Sequence, residues 1–206
     1  MKRIIIYGAS GHGRVVLDIL RDHSDLEVVG FADDKATGEC AGIPILGPLE
    51  TVKRGQFDGI ALGIGDNKAR KTIFNQLTSQ LVDVITAIHP KAHISASAAI
   101  GPGSVICAGA HICAHATIGE NCIVNTAATI DHDCTVSAHC HISPNASLGG
   151  GCTVGEGTWI GLGSSIIHGI SIGAWSIIGA GSAVIKNVPD HVMSAGNPAI
   201  IKKELK

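Results

Sequence analysis

The chain has 206 residues, enough for one large domain or two small ones with cores of their own. Its 15 Lys and Arg against 17 Asp and Glu give a formal charge of −2, which supplies no electrostatic reason to expect a nucleic acid or an anionic membrane surface as partner. Aromatic residues make up 3% while glycines number 27, so a core has to be built from regularly stacked aliphatics, and no apolar run reaches the ~18 residues of a membrane span.

The opening "MKRIIIYGAS" has basic residues and a short apolar run, but it reaches glycine-rich polar sequence too soon for a signal peptide. A first strand in a cytoplasmic protein is expected. "RIIIYG" (3–8) reads as a buried strand ending in a tight turn. "HGRVVLDILRDH" (12–23) places Val15, Val16, Ile19 and Leu20 on one helical face. "LEVVGFADD" (26–34) is a second strand ending in acids, and "FDGIALGIG" (57–65) a third, followed by a helix from about Asp66. "LVDVITAI" (81–88) is a last strand. The alternation predicts a small parallel α/β domain over residues 1–87.

The turn "YGASGHG" either presents backbone N–H groups to a phosphate at the helix N-terminus or is a plain structural turn. Its spacing, Gly8-x-x-Gly11-x-Gly13, is not the dinucleotide fingerprint. Asp33 and Asp34 end the second strand, where acids commonly hold ribose or sugar hydroxyls. Together the two features favour a nucleotide-containing ligand. Lys35 and Arg70 either neutralise phosphate or are solvated surface cations.

From Ile88 to Val184 an aliphatic residue recurs every six positions without a break: Ile88, Ile94, Ile100, Ile106, Ile112, Ile118, Val124, Ile130, Val136, Ile142, Leu148, Val154, Ile160, Ile166, Ile172, Ile178, Val184. A period of six fits neither a 3.6-residue helix nor an ordinary hairpin. It is the signature of a parallel β-helix over residues 88–188. The pattern resembles the hexapeptide-repeat acyltransferases. That resemblance implies a left-handed coil with three hexads per turn, and a homotrimer with its active sites between subunits.

Three hexads per turn stack residues 18 apart. With the aliphatic at position one, positions three and four form the corners. One corner column contains His132-Asp133 below Gly150-Gly151, which predicts open space over the imidazole. A second contains Leu162-Gly163 and Ala180-Gly181, small enough for another molecule to approach its backbone closely. Cys122, Cys134, Cys140 and Cys152 all occupy position five, an inward site for small side chains, and are read as packed thiols. There is no C-x-x-C pair among the seven cysteines. The tail, residues 189–206, leaves the period.

Over essentially the whole chain, "YGASGHG", "DD", "GIGDNKARKTI", "IHPKAHIS", "NTAATIDHDC" and "GNPA" resemble the bacterial sugar-nucleotide acetyltransferases of the PglD/NeuD-like group. The resemblance implies a Rossmann-like α/β domain followed by a left-handed β-helix, with a C-terminal tail near acetyl-CoA. It implies acetyl-CoA as co-substrate, no required metal, and a nucleotide-sugar acceptor; the first loop looks most like the type that acetylates the 4-amine of a UDP-4-amino-4,6-dideoxy sugar. Carried onto this chain, Ser10, Gly11 and His12 hold the UDP end, and Asp33, Asp34 and Gly65 line the rest of that site. His132 is the base that takes the amine's proton, with Asp133 as its carboxylate partner. His141, Gly150, Leu162 and Ala180 contact acetyl-CoA, Gly150 through an N–H facing the oxyanion. Asn125 aligns with an asparagine near the histidine. His115, His139 and His168 are placed on the solvent or trimer surface.

Other readings use the same residues. NeuD-like relatives are associated with O-acetylation of sialic acid, and others use GDP- or dTDP-linked amino sugars. The γ-class carbonic anhydrases share the coil and bind zinc through histidines, which makes His132, His139 and His141 candidate ligands. Asp131 is left between a solvated residue and a subunit contact.

Overall fold

The computed structural model describes residues 1–53 and 55–205; Lys206, the end of the expected tail, lies outside the described residues. The chain divides into two compact units, Met1–Pro90 and Lys91–Lys206. Among the described residues no helix is long and apolar enough to cross a membrane.

The first unit is a Rossmann-like α/β domain. Its central strand β1 (Lys2–Tyr7) pairs in parallel with β2 (Leu26–Ala32) on one side and β3 (Gly59–Leu62) on the other. A strand covered on both faces must be apolar throughout, and Ile4, Ile5 and Ile6 are fully buried. Helix α1 (Gly11–Arg21) buries Gly13, Val16, Leu17, Ile19 and Leu20. The expected apolar face is corrected here: Val15 is exposed and Leu17 replaces it, because positions 13, 16, 17 and 20 follow the 3.6-residue period. Gly13 is required by packing. A Cβ there would collide with the Gly8 carbonyl oxygen, and one on Gly63 would lie 2.6 Å from the Gly13 Cα. Helix α2 (Asn67–Ser79) starts on Asp66, whose carboxylate accepts the Ala69 N–H at 2.8 Å. The expected strand at 81–88 is mostly irregular. Leu81 sits at φ 56, 95% exposed, and only a bridge from Ile60 to Val84 and the two-residue strand Ala87–Ile88 form.

The second unit is a left-handed parallel β-helix of about six turns. Two-residue strands run from His93–Ile94 to Ala183–Val184, each ending on a hexad aliphatic. They pair in parallel with residues 18 apart, as in His111 with Thr129, Thr117 with Thr135 and Ile123 with His141. The three series form three faces. The first contains Thr129–Ile130, the second Thr135–Val136, the third Ile123–Val124 and His141–Ile142. From Ile106 to Val184 every hexad aliphatic is at 3% exposure or less, so the interior is one aliphatic stack.

From Gly103 to Gly181 position four takes the left-handed conformation that turns the corner, including at Asp133, φ 58. Where position five carries a hydroxyl or thiol instead of alanine, that group commonly donates to the carbonyl 15 residues on: Ser104 to Gly119, Cys122 to Ser137, Cys140 to Gly155, Cys152 to Ile167, Ser164 to Gly179. The cysteines are therefore interchangeable in role with serine at this position. The chain ends in an antiparallel pair, Val192–Ala195 with Ile200–Glu204, added to the third face.

Candidate active site

His132 and Asp133 stand at the corner between the first and second faces. In an extended strand, neighbouring side chains point to opposite faces. The left-handed turn at Asp133 brings them together instead, and His132 Nδ1–H donates to Asp133 Oδ2 at 2.7 Å. That bond fixes the tautomer and leaves Nε2 with its lone pair free to accept a proton. The imidazole pKa is raised above its ordinary value, chiefly by the bond to Asp133 and then by the charge of Asp131. Both side chains are about 60% exposed, at 61% and 62%.

The ring lies directly across Gly150. A Cβ at that position would fall 2.6 Å from both Cε1 and Nε2. The expected open space over the imidazole is thus corrected: the glycine makes room for the ring itself. The coil uses the N–H groups at positions two, four and six, as in Asp131 to Leu148, Asp133 to Ala114 and Thr129 to Ala146. Among the described residues the Gly150 N–H, at position three, has no acceptor.

Asp131 is neither simply solvated nor idle. Its Oδ1 accepts the His132 backbone N–H at 2.8 Å, the position-three donor the coil does not use. Its charge also acts on the imidazole and, after burial, is the next influence pushing the Cys113 thiol up. Sequence could not choose this role, because the cap depends on the corner's backbone direction.

Cys134 is fully buried and donates to the Gly149 carbonyl at 3.2 Å. Burial pushes its thiol up to about 11, the opposite of what an attacking thiolate needs. Since serine fills equivalent sites, Cys134→Ser is expected to keep turnover within about twofold. Loss of activity in a folded Cys134→Ser protein would instead point to a covalent acetyl-cysteine.

A second group lies at the corner between the third and first faces. Asn125 Nδ2 donates to His141 Nε2 at 3.1 Å, while Asn125 Oδ1 accepts the Thr126 N–H at 2.8 Å. His141, 8% exposed, stacks on Trp159 with ring centroids 5.3 Å apart and 7° between planes. The Trp159 indole N–H donates to Ser143 Oγ at 2.7 Å. Sequence reasoning misses Trp159; its place 18 residues beyond His141 is the signal that could have found it. Leu162 and Ala180 follow on the same corner, both exposed, and their N–H groups have no acceptor among the described residues. The two corners are six residues apart along the first face, roughly 20 Å in extended chain. The fold therefore gathers His132, Asp133 and Gly150 in one place and Asn125, His141, Leu162 and Ala180 in another. His139, expected on the surface, is 4% exposed and bonds Asn121 at 2.8 Å, a correction that follows from the amide 18 residues before it. Among the described residues no three His, Cys, Asp or Glu side chains come together as a metal site.

In the first unit, Ser10 precedes α1 but donates to the Gly63 carbonyl at 3.3 Å instead of capping the helix. Gly11 is exposed, His12 half-buried, and a Cβ added at Gly11 or Gly65 would meet nothing within 4 Å. Asp33 accepts backbone N–H groups from Ala9 at 2.9 Å, Lys35 at 2.9 Å and Ala36 at 2.8 Å. These bonds, Ala36's foremost, hold its carboxyl below the usual range, and they brace the glycine loop against the end of β2. Asp34 accepts the Tyr7 hydroxyl, 2.9 Å from each carboxylate oxygen. Burial and then Asp34 push that phenol up to about 12. Tyr7 and Asp34 open onto a cavity of about 230 Å³ closed by Leu49, Glu50, Ile73, Gln76, Leu77 and Gln80. The apolar pattern marks Tyr7 only as a strand residue. Arg70 is neither a phosphate ligand nor solvated: at 1% exposure it donates to the Leu62 carbonyl at 2.7 Å and the Ile64 carbonyl at 3.3 Å, fixing the loop that leads to Gly65.

Residues 3–77 match the PglD N-terminal domain family. The chain is 45% identical over 113 residues to UDP-N-acetylbacillosamine N-acetyltransferase of Bacillus subtilis, a match covering 52% of each chain; it thus spans about half the length of that curated relative. Among solved structures it is similar to a histidine variant of perosamine N-acetyltransferase from Caulobacter crescentus, in complex with CoA and GDP-perosamine. That match has a TM-score of 0.95 at 34% identity, over 99% of this chain and 98% of that one. It is also similar to the acetyltransferase domain of PglB from Neisseria gonorrhoeae, in complex with acetyl coenzyme A. There the TM-score is 0.90 at 35% identity, over 98% and 99% of the two chains.

Proposed function

The chain belongs to the hexapeptide-repeat sugar-nucleotide acetyltransferases of the PglD-like group, and on that premise we propose that it transfers the acetyl group of acetyl-CoA to the 4-amine of a UDP-4-amino-4,6-dideoxy sugar. The observation that carries this reading is the His132–Asp133 pair laid across Gly150. His132 Nε2 takes a proton from the amine as the new C–N bond forms, and the CoA thiolate is the leaving group. Asp133 holds the tautomer and stabilises the imidazolium; Asp131 holds the backbone on which the base stands. The free N–H of Gly150 faces the developing oxyanion. His141 and the backbone at Leu162 and Ala180 take the acetyl-CoA arm. Ser10, Gly11, His12, Asp34 and Gly65 take the nucleotide end, with Asp33 shaping that loop.

Two groups that must serve one reaction stand on different corners of one chain. A homotrimer in which one copy's His132 corner meets the next copy's His141 corner supplies the missing proximity.

The curated relative's name supports a UDP-linked acceptor; the Caulobacter relative's GDP-perosamine complex favours a GDP-linked one as the second reading. Thiol release from acetyl-CoA with UDP-, GDP- and dTDP-4-amino sugars and with free sialic acid separates them. The UDP sugar is expected to give the highest kcat/KM. A higher value for the GDP sugar would transfer the assignment, and release with sialic acid alone would replace N- by O-acetylation.

Asp133→Asn tests the dyad by pH. The asparagine oxygen still accepts the Nδ1–H but carries no charge. In the wild type the raised imidazole pKa sets the acid limb of kcat/KM, so activity is lost as pH falls through it. Without the carboxylate that pKa drops, and the limb is expected to move to lower pH with a reduced plateau. An unmoved limb would show that another group is the base.

A further inference from the structure

We infer that Trp159 is a positioning residue for acetyl transfer: its indole holds the His141 ring in the one orientation and tautomer in which that ring meets the acetyl-CoA arm. The inference rests on the proposed function, which gives His141 to that arm. Trp159 pairs with His141 in the parallel register of the third face, and Ile123 pairs with it from the other side. Ile142 and Ile160 fill the interior of the same two strands at 0% exposure, so His141 and Trp159 both project outward. An outward histidine on a flat coil is ordinarily open to water. This one is buried, and the indole lies along its face with ring planes 7° apart and centroids 5.3 Å apart, the offset-stacked geometry of an aromatic pair.

The indole is itself anchored. Its N–H donates at 2.7 Å to the hydroxyl of Ser143, a buried residue two positions beyond His141 on the preceding coil. That bond draws the indole back over the coil that carries His141. The edge of the imidazole is fixed as well. Asn125 Oδ1 accepts the Thr126 N–H at 2.8 Å, which turns Nδ2 toward His141, so Nε2 accepts the amide N–H at 3.1 Å. The proton of the neutral ring is then on Nδ1. The amide sets the tautomer, and the stack stops the ring rotation that would break the amide contact.

The coil does not call for an aromatic residue at this place. The same outward strand position carries Thr117, Thr135 and Thr153 on the second face. The tryptophan serves the ring beside it. Without the stack the imidazole is free to turn about its side-chain bonds, and a displacement of about 1 Å in a group that orients a substrate costs on the order of 10²-fold in rate.

The test compares Trp159→Thr, which installs the coil's own outward residue, with Trp159→Phe, which keeps a stacking face. In protein carrying ¹⁵N in its histidine rings, with His141→Gln assigning the signal, the wild type and Trp159→Phe are expected to show His141 as a single Nδ1–H tautomer. Trp159→Thr should show an average of the two tautomers. Its kcat/KM for acetyl-CoA should fall by about 10–100-fold, against less than about threefold for Trp159→Phe. KM for the amino sugar, and the acid limb set by His132, should stay unchanged in both variants; general loosening of the coil would move them. A wild-type nitrogen signal and wild-type kcat/KM in Trp159→Thr would overturn the inference, as would equal losses in the two variants. A wild type that transfers no acetyl group would remove the proposed function, whereas averaging confined to Trp159→Thr would still establish that the indole holds the ring.

Discussion

Replacing His132 by alanine is expected to lower kcat for acetyl transfer by about two to four orders of magnitude, the range that a positioned general base supplies. The fold should be unaffected. The side chain is 61% exposed, and the corner's backbone bond, Gly151 N–H to His132 O at 2.9 Å, does not involve the ring. KM for acetyl-CoA should stay within a few-fold, because the groups assigned to that arm stand on the other corner. Added imidazole should restore part of the rate by diffusing into the space the side chain leaves. Steady-state kinetics on a variant with a wild-type unfolding midpoint provide the check. An unchanged kcat would remove His132 from the chemistry.

Gly150→Ala carries the second large effect, and it comes from a residue with no reactive group. Gly150 is not in the left-handed region, so alanine costs the backbone little there. The new methyl would sit 2.6 Å from Cε1 and Nε2 of the base, well inside contact distance. The imidazole is the softer partner and must swing off the glycine. A misplacement of about 1 Å costs on the order of 10²-fold in rate, so kcat should fall by about that factor with little change in stability. The acid limb of the pH profile should also shift if the swing weakens the bond to Asp133. Wild-type kcat in Gly150→Ala would mean that the ring does not rest on this glycine during turnover.

Much of this architecture is readable from the chain. The hexads declare themselves because every coil must place one aliphatic inward on each of its three faces, and the strands form where that repeat puts them. Cys134 and its three counterparts are legible as packed thiols for the same reason. What the repeat does not encode is how outward-pointing groups meet. That His132 leans on Gly150, that Asp131 caps the next N–H, and that His141 is sandwiched between Asn125 and Trp159 depend on corner direction and rotamer.

The first unit is harder to read, since its elements are single occurrences without a repeat to average over. Val15 and Leu17 are two residues apart in a helix, and only the phase of the buried face separates them. Residues 81–88 are apolar enough for a strand, but the left-handed turn at Leu81 and the short bridge at Val84 are settled by packing. Arg70 resembles a surface cation in sequence because its buried partners are main-chain carbonyls, which carry no sequence signal. The position of Asp33 at a strand end marks the loop, but three backbone N–H groups occupy its carboxylate, so it shapes that loop.

Whether this chain acetylates a sugar amine is decided most directly by following the amine itself. Purified protein is incubated with acetyl-CoA and a UDP-4-amino-4,6-dideoxy sugar, and free thiol and the acetylated sugar nucleotide are quantified together by absorbance and mass spectrometry. Equal amounts of thiol and 4-N-acetyl product are expected with the wild type, and a rate about two to four orders of magnitude lower with His132→Ala. No 4-N-acetyl product from any nucleotide-linked amino sugar, with the protein folded and acetyl-CoA bound, would contradict the proposed activity.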